Sequence, residues 1–328
     1  MRPPLPRRSD GLPGARALVR RQLGRLFGPP SFDPATDAGD PGLCGPGSAS
    51  WHVIGEPAAI AGGLRALLLQ VAHPLAMAGV ADHSAFRTDP LGRLHRTSAY
   101  VTASTFGSTT EALRVARQVR RVHPHVRGTA PDGRSYRADD PRLLTWVGVA
   151  LTSSFLAADR LWSPQPLDAA GRDAFVREQS AIAALLDPAV DVDGMLADPA
   201  ALAALRAGQV PLPMLDTGIL PSNEVELQAT LDDFAPELGV NDQGRAALRF
   251  LRWPPLPVAV RGAYLVLYAG AIGSLAPRER RALEFALPTP AATAAVVQTR
   301  AMLAAMRAAT GVSPNVGAAR RRATASTP

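Results

Sequence analysis

Apolar positions along the chain recur at helical spacing, and period-two alternation between hairpin turns is almost absent. An apolar segment over 57–78 runs into His73-Pro74, where proline disfavours helix for the residue before it and predicts a break or kink. Asp89-Pro90 opens a helix over 91–105 that ends at Phe106-Gly107. Ser108, Thr109 or Thr110 caps the next helix, with Glu111 in its first turn; it runs to His123 and stops before Pro124. GTAPDGRS at 128–135 reads as a turn, and Asp139 or Asp140 before Pro141 caps a long apolar helix over 142–161. Further helices are predicted over 168–186, 198–206, 223–234, 242–252, 258–275, 277–285 and 290–310. The pattern predicts an all-α fold, a single multi-helix domain over 41–310. An N-terminal extension, 1–40, carries one basic helix near 15–27, and the Ala/Arg/Ser/Thr-rich tail, 311–328, is expected to be disordered.

Composition supports a buried core, since 47% of the residues are hydrophobic and alanine and leucine dominate. All 35 basic residues are arginine, and the formal net charge is +7. The arginines are scattered, many on the polar sides of helices, and no arginine stripe interleaved with aromatics is present, so nucleic acid is not an expected partner. Arg16, Arg20, Arg21 and Arg25 on the N-terminal helix would give at most weak peripheral contact with an anionic membrane. The single cysteine, Cys44, excludes an intrachain disulfide. Arg7-Arg8 is not followed by the apolar run of a signal peptide. The longest apolar stretch, 262–276, is interrupted by glycines and short for a span of about 20 residues, so it reads as a buried helix. A cytoplasmic protein is the expectation.

Familiar local chemistry is missing: no HExxH, CxxC or GxSxG occurs, and no P-loop or GxGxxG follows a strand. Candidates therefore rest on placement. His123 follows Val115 and Val119 at i, i+4, i+8 on an arginine-rich helix, and the last turn would present it to the core. It is either a neutral imidazole available to a metal such as haem iron or a core histidine bonded to a carbonyl. His125 points elsewhere at about 100° per residue and remains a spare candidate. Arg93 and Thr97 are i, i+4 partners and, with Arg96, form a group able to hold a carboxylate or polarise a bound oxygen; a surface arginine and an ordinary helical threonine are the plain alternative. His73, Asp82, His83 and Asp89 have no spacing that fixes a coordination geometry, and capping or turn roles suit them better.

At these residues the chain resembles the family of bacterial latex-clearing proteins (rubber oxygenases) and fungal MpaB-type oxygenases. The resemblance is carried by LRALLLQVAHPLAMAGVADHSAFRTDPLGRLHRTSAYVTASTFG at 64–107 and VRRVHPHVRGTAPDGRSYRADDPRLLTWV at 119–147. LRWPPLPVAVRGAYLVLYAGAIGSLAPRERR at 251–281 and GLCGPGSASWHVIGEP at 42–57 extend it to about 40–310. It implies an all-helical fold with a globin-like core around haem b, and cleavage of carbon–carbon double bonds of isoprenoid chains by dioxygen. It implies His123 as the iron ligand, Arg93 and Thr97 near the haem, and a distal role for Arg96. An apolar, unsaturated isoprenoid or lipid substrate would follow. Relatives close to this pattern often carry histidine within the stretch Trp146-Val147-Gly148, where this chain has Gly148, which keeps open a non-catalytic haem- or lipid-binding protein of the same fold.

Overall fold

The computed structural model of the 328-residue chain describes residues 31–84, 89–311 and 313–325. The basic helix expected near 15–27 lies outside them. A short helix α1 (Ala49–Ile54), capped by Ser48, leads into α2 (Ala58–Ala72). At His73 the chain turns by 99° into α3 (Pro74–His83). Pro74 is the first residue of α3, where its missing N–H costs nothing. The His73 Nδ1 takes the capping role by accepting from the Ala76 N–H at 3.4 Å. Then follow α4 (Pro90–Phe106) and α5 (Thr109–Val122), joined at Gly107-Ser108. A hairpin of β1 (Arg127–Thr129) and β2 (Ser135–Arg137) pairs Gly128 with Tyr136 around the predicted turn. The long α6 (Pro141–Trp162) is capped by Asp140, and α7 (Ala169–Ala184) by Asp168.

The second half continues through α8 (Val192–Ala197), α9 (Pro199–Arg206), α10 (Pro213–Asp216), α11 (Glu224–Phe234) and α12 (Asp242–Arg252). It ends with α13 (Val258–Gly273), α14 (Pro277–Ala282), α15 (Thr289–Thr310) and α16 (Pro314–Thr324). The fold is all-α, and the two-stranded hairpin is the one sheet among the described residues. Its centre is α2 laid against α6 and α13, with Leu68, Leu69, Trp146, Phe155, Phe175 and Phe234 buried between helices. Gly62 lets α2 and α6 approach, because a Cβ there would stand 2.9 Å from Phe155 Cδ1 and 3.1 Å from Ala158 Cβ. A buried ion pair crosses this core: Arg65 Nη2 on α2 donates to Glu279 Oε2 on α14 at 2.7 Å, and Arg65 Nη1 to Ser154 Oγ on α6 at 3.0 Å. Among the described residues no single helix is long and apolar enough to cross a membrane.

The tail is a correction to the expectation of disorder. Residues 314–324 form α16, which buries Val316, Ala318, Ala319 and Arg322. The alanines and Val316 supply a small apolar face that packs with Phe32, Trp51 and Phe106. Arg322 is 1% exposed. Its Nη1 donates to the Phe106 carbonyl at 2.7 Å and its Nε to the Asp40 carbonyl at 2.9 Å. A basic, alanine-rich composition reads as disordered only while the arginine has no carbonyls to satisfy; here the α4–α5 corner supplies one of them.

Candidate active site

Asp89 starts α4 by accepting the Gly92 N–H at 2.9 Å. Its other carboxylate oxygen takes Arg96 Nη1 at 3.2 Å, so Arg96, 64% exposed, is held at the surface. Arg93 and Thr97 lie one turn apart, and Thr97 Oγ1 donates back to the Arg93 carbonyl at 3.1 Å. The half-buried Arg93 guanidinium has no hydrogen-bond or ion-pair partner among the described residues. Burial, with Arg96 as a like-charged neighbour, pushes its pKa down to about 10, so it remains cationic at neutral pH. Tyr100 continues the same line, and burial pushes its phenol well above the usual tyrosine range. No residue over 92–102 is fully buried, whereas Ala103, Ser104, Thr105 and Phe106 are. The first turns of α4 therefore stand off the core, and the last turn is packed into it.

Helix α5 begins with a capping box: Ser108 Oγ accepts the Glu111 N–H at 3.1 Å, and Glu111 Oε2 accepts the Ser108 N–H at 2.9 Å. Its buried face is Thr109, Ala112, Leu113 and Ala116. The expected stripe through Val115 and Val119 is only half-buried. The rotation has a cause in Arg120, whose guanidinium reaches the Val190 and Pro188 carbonyls at 2.6 and 3.1 Å and turns the 113–116–120 line inward. His123 still shares that direction, since it lies seven residues, about two turns, beyond Ala116. It closes α5, and Pro124 forces a single 3₁₀ turn, His123–His125, after it. His125 is exposed.

The His123 Nδ1 is buried with no hydrogen-bond partner. Burial lowers the pKa of the imidazole, and Asp139 opposes this only in part, so the ring is neutral at pH 7. Asp139 is gripped by Arg137 at 3.1 and 2.9 Å. Asp139 and His123 border a cleft of about 270 Å³ together with Arg117, Arg120, Arg121 and Asp193. The volume falls just below the roughly 300–1,000 Å³ of small-molecule sites, and Leu186, Pro188 and Val192 make much of the wall apolar between the charged side chains.

The structure thus brings Arg93 and Thr97 together, sets Arg96 apart on Asp89, and places His123 on the adjoining helix with Asp139 as its charged neighbour. The remaining histidine constellation is taken up by structural ties. His73 caps α3, Asp82 accepts from the Tyr136 hydroxyl at 2.6 Å, and His83 Nε2 lies 3.1 Å from the Arg127 carbonyl. No group of three or more His, Cys, Asp and Glu side chains suited to a metal ion occurs among the described residues. A Cβ at Gly148 would meet Ala183 Cβ at 3.3 Å and Leu220 Cδ2 at 3.7 Å, so that position faces the α6–α7 contact.

One cluster escaped the sequence reading. His73, fully buried, lies between Trp146 and Phe234, with ring centroids 5.4 and 5.9 Å away. Its Nε2 is 3.4 Å from Glu237 Oε2, and Arg142 binds the other oxygen of that carboxylate. Burial lowers the His73 pKa, which Glu237 partly offsets. His73-Pro74 was legible as a kink; nothing local announced that Glu237, 164 positions later, would meet it.

Residues 51–308 match the family described as ER-bound oxygenase mpaB/B′/rubber oxygenase, catalytic domain. The chain belongs to this mpaB/rubber oxygenase family. No curated protein and no solved structure matches it. The family match makes it an oxygenase domain, and it encloses Arg93, Arg96, Thr97 and His123. Residues 31–48 and α16 lie outside the matched span, yet they pack against the α4–α5 corner of the oxygenase domain.

Proposed function

We propose that this oxygenase works with haem b, that His123 supplies the axial ligand to its iron, and that the substrate is an apolar, unsaturated isoprenoid or lipid chain. The observation that carries the ligand assignment is the buried His123 Nδ1, one of five buried side-chain nitrogens without a hydrogen-bond partner among the described residues, on a ring that borders a cleft. A neutral imidazole is the form that binds haem iron, and burial holds His123 in that form. The haem would supply activation of dioxygen, which no side chain here can provide.

The chain's own residues would do the rest. Arg93 offers a cation without a partner among the described residues, beside the standing-off face of α4, suited to a carboxylate of the cofactor or to negative charge developing on oxygen. Thr97 spends its proton on the Arg93 carbonyl, so its oxygen is left as an acceptor and it fixes the helical turn that carries Arg93. Arg96 joins them only if its bridge to Asp89 opens. The cleft that His123 borders with Arg121 and Asp139 is small, so it would have to open for haem iron to reach the imidazole.

The test is expression with haem supply. The wild type is expected to show a Soret band, and His123→Ala to lose or shift it with its far-UV circular dichroism unchanged. A wild type without the band overturns the reading. Oxygen uptake with a reductant and a panel of polyisoprenes and unsaturated lipids then separates turnover from binding alone.

A further inference from the structure

The most apolar helix of the fold begins in solvent. α13 carries one charged residue, Arg261, yet Val258 is 82% exposed, and Gly262 and Ala263 are exposed as well. The preceding loop adds Trp253, 58% exposed, with Pro255 and Pro257. This is a built surface: the Tyr264 hydroxyl donates to the Leu251 carbonyl, Arg261 Nη2 donates to the Leu256 carbonyl at 3.1 Å, and Leu256 is buried beneath them. These ties hold the loop and the first turns of α13 as one face.

The charge that the α12–α13 corner itself carries has one sign. Arg249, Arg252 and Arg261 are exposed along it, and Arg249 and Arg252 form no ion pair or side-chain hydrogen bond among the described residues. The sequence has no aspartate or glutamate between Asp242 and Glu279. Arg245, farther back on α12, is instead neutralised by Glu284 and Asp242 at 2.7 and 2.9 Å.

We propose that the α12–α13 corner is a docking surface for an anionic lipid bilayer. A tryptophan indole favours the headgroup level, Val258 and the prolines are small enough to enter the acyl boundary, and the arginines meet lipid phosphates. A second copy of the chain fits less well, because a two-fold contact would set three arginines against three arginines. The surface differs from the N-terminal helix whose arginines suggested membrane contact, and it does not depend on the haem assignment.

The full chain is mixed with phosphatidylcholine vesicles with and without phosphatidylglycerol, and binding is read by flotation and tryptophan emission. Trp51, Trp146 and Trp162 are 4%, 0% and 2% exposed, so changes in aqueous quenching report on Trp253. The expected result is flotation with anionic vesicles that weakens with salt, a blue shift, and protection of Trp253 from the quencher. Arg249→Glu with Arg252→Glu is expected to weaken binding roughly tenfold or more, given about a fivefold contribution per arginine near such a surface. Trp253→Ser with Val258→Ser is expected to weaken it without changing the melting curve. Absence of flotation overturns the proposal, as does flotation unchanged in both double variants, which would locate binding elsewhere. A Trp253-dependent dimer without vesicle binding would assign the face to a second copy and also overturn it.

Discussion

Arg65→Met should destabilise the protein far more than its position on one helix suggests. The side chains of Arg65 and Glu279 are 6% and 7% exposed, and their atoms meet at 2.7 Å. At an effective dielectric of about 20, unit charges about 4 Å apart attract by about 4 kcal/mol, and removing one member leaves the other charge buried and uncompensated. The expected loss is about 3–5 kcal/mol for Arg65→Met, and a similar loss for Glu279→Gln. The double variant should lose much less than the sum, about 2 kcal/mol or under, because no charge is then stranded. What remains is the donor lost by Ser154 Oγ, while Gln at 279 keeps an acceptor for the Ala276 N–H that now bonds at 2.7 Å. Urea unfolding followed by circular dichroism, with slopes compared among the four proteins, measures all three differences. A single variant losing under about 1 kcal/mol, or a double variant equal to the sum of the singles, refutes the reasoning.

Gly62→Ala should cost about 1–2 kcal/mol despite alanine's better helix propensity, since its methyl would press on Phe155 and Ala158; a rise in melting temperature would show that α6 yields freely. Arg322→Met strands the Phe106 and Asp40 carbonyls and should cost about 2–4 kcal/mol, with hydrogen exchange accelerated first in α16; unchanged exchange there would count against it. Burial lowers the His73 pKa, so the unfolded chain binds its proton at a higher pH than the folded one does. Stability should accordingly be complete above the unfolded histidine value of about 6.5 and fall as the pH drops below it; His73→Gln should flatten that fall in urea midpoints between neutral and mildly acidic pH.

The helices were legible because their punctuation is local. Asp89-Pro90, Ser108 with Glu111, Asp140-Pro141 and Asp168 each carry their own capping chemistry, and the structure uses all of them. Face assignments were less legible. The stripe through Val115 and Val119 gave way to Leu113 and Ala116 because Arg120 finds two carbonyls on a loop 68 and 70 positions away. The disordered tail was misread for a related reason, since Arg322 is worth burying only beside Asp40 and Phe106. Within the candidate site, the i, i+4 relation of Arg93 and Thr97 follows from helix geometry, whereas the Arg96–Asp89 bridge and the proximity of Asp139 to His123 depend on how the chain folds back.

The Arg322 contact also has a history in time. The Phe106 carbonyl is made 216 residues before the guanidinium that satisfies it. At synthesis rates of roughly 5–20 residues per second, that interval is about 10–40 seconds. Throughout it, the turn linking α4 to α5 exists without its partner, and Trp51 and Phe106 lack the alanine face that later covers them. The helices bearing Arg93 and His123 are thus made early and clasped late, so their corner stays open to solvent on the ribosome until the last helix arrives.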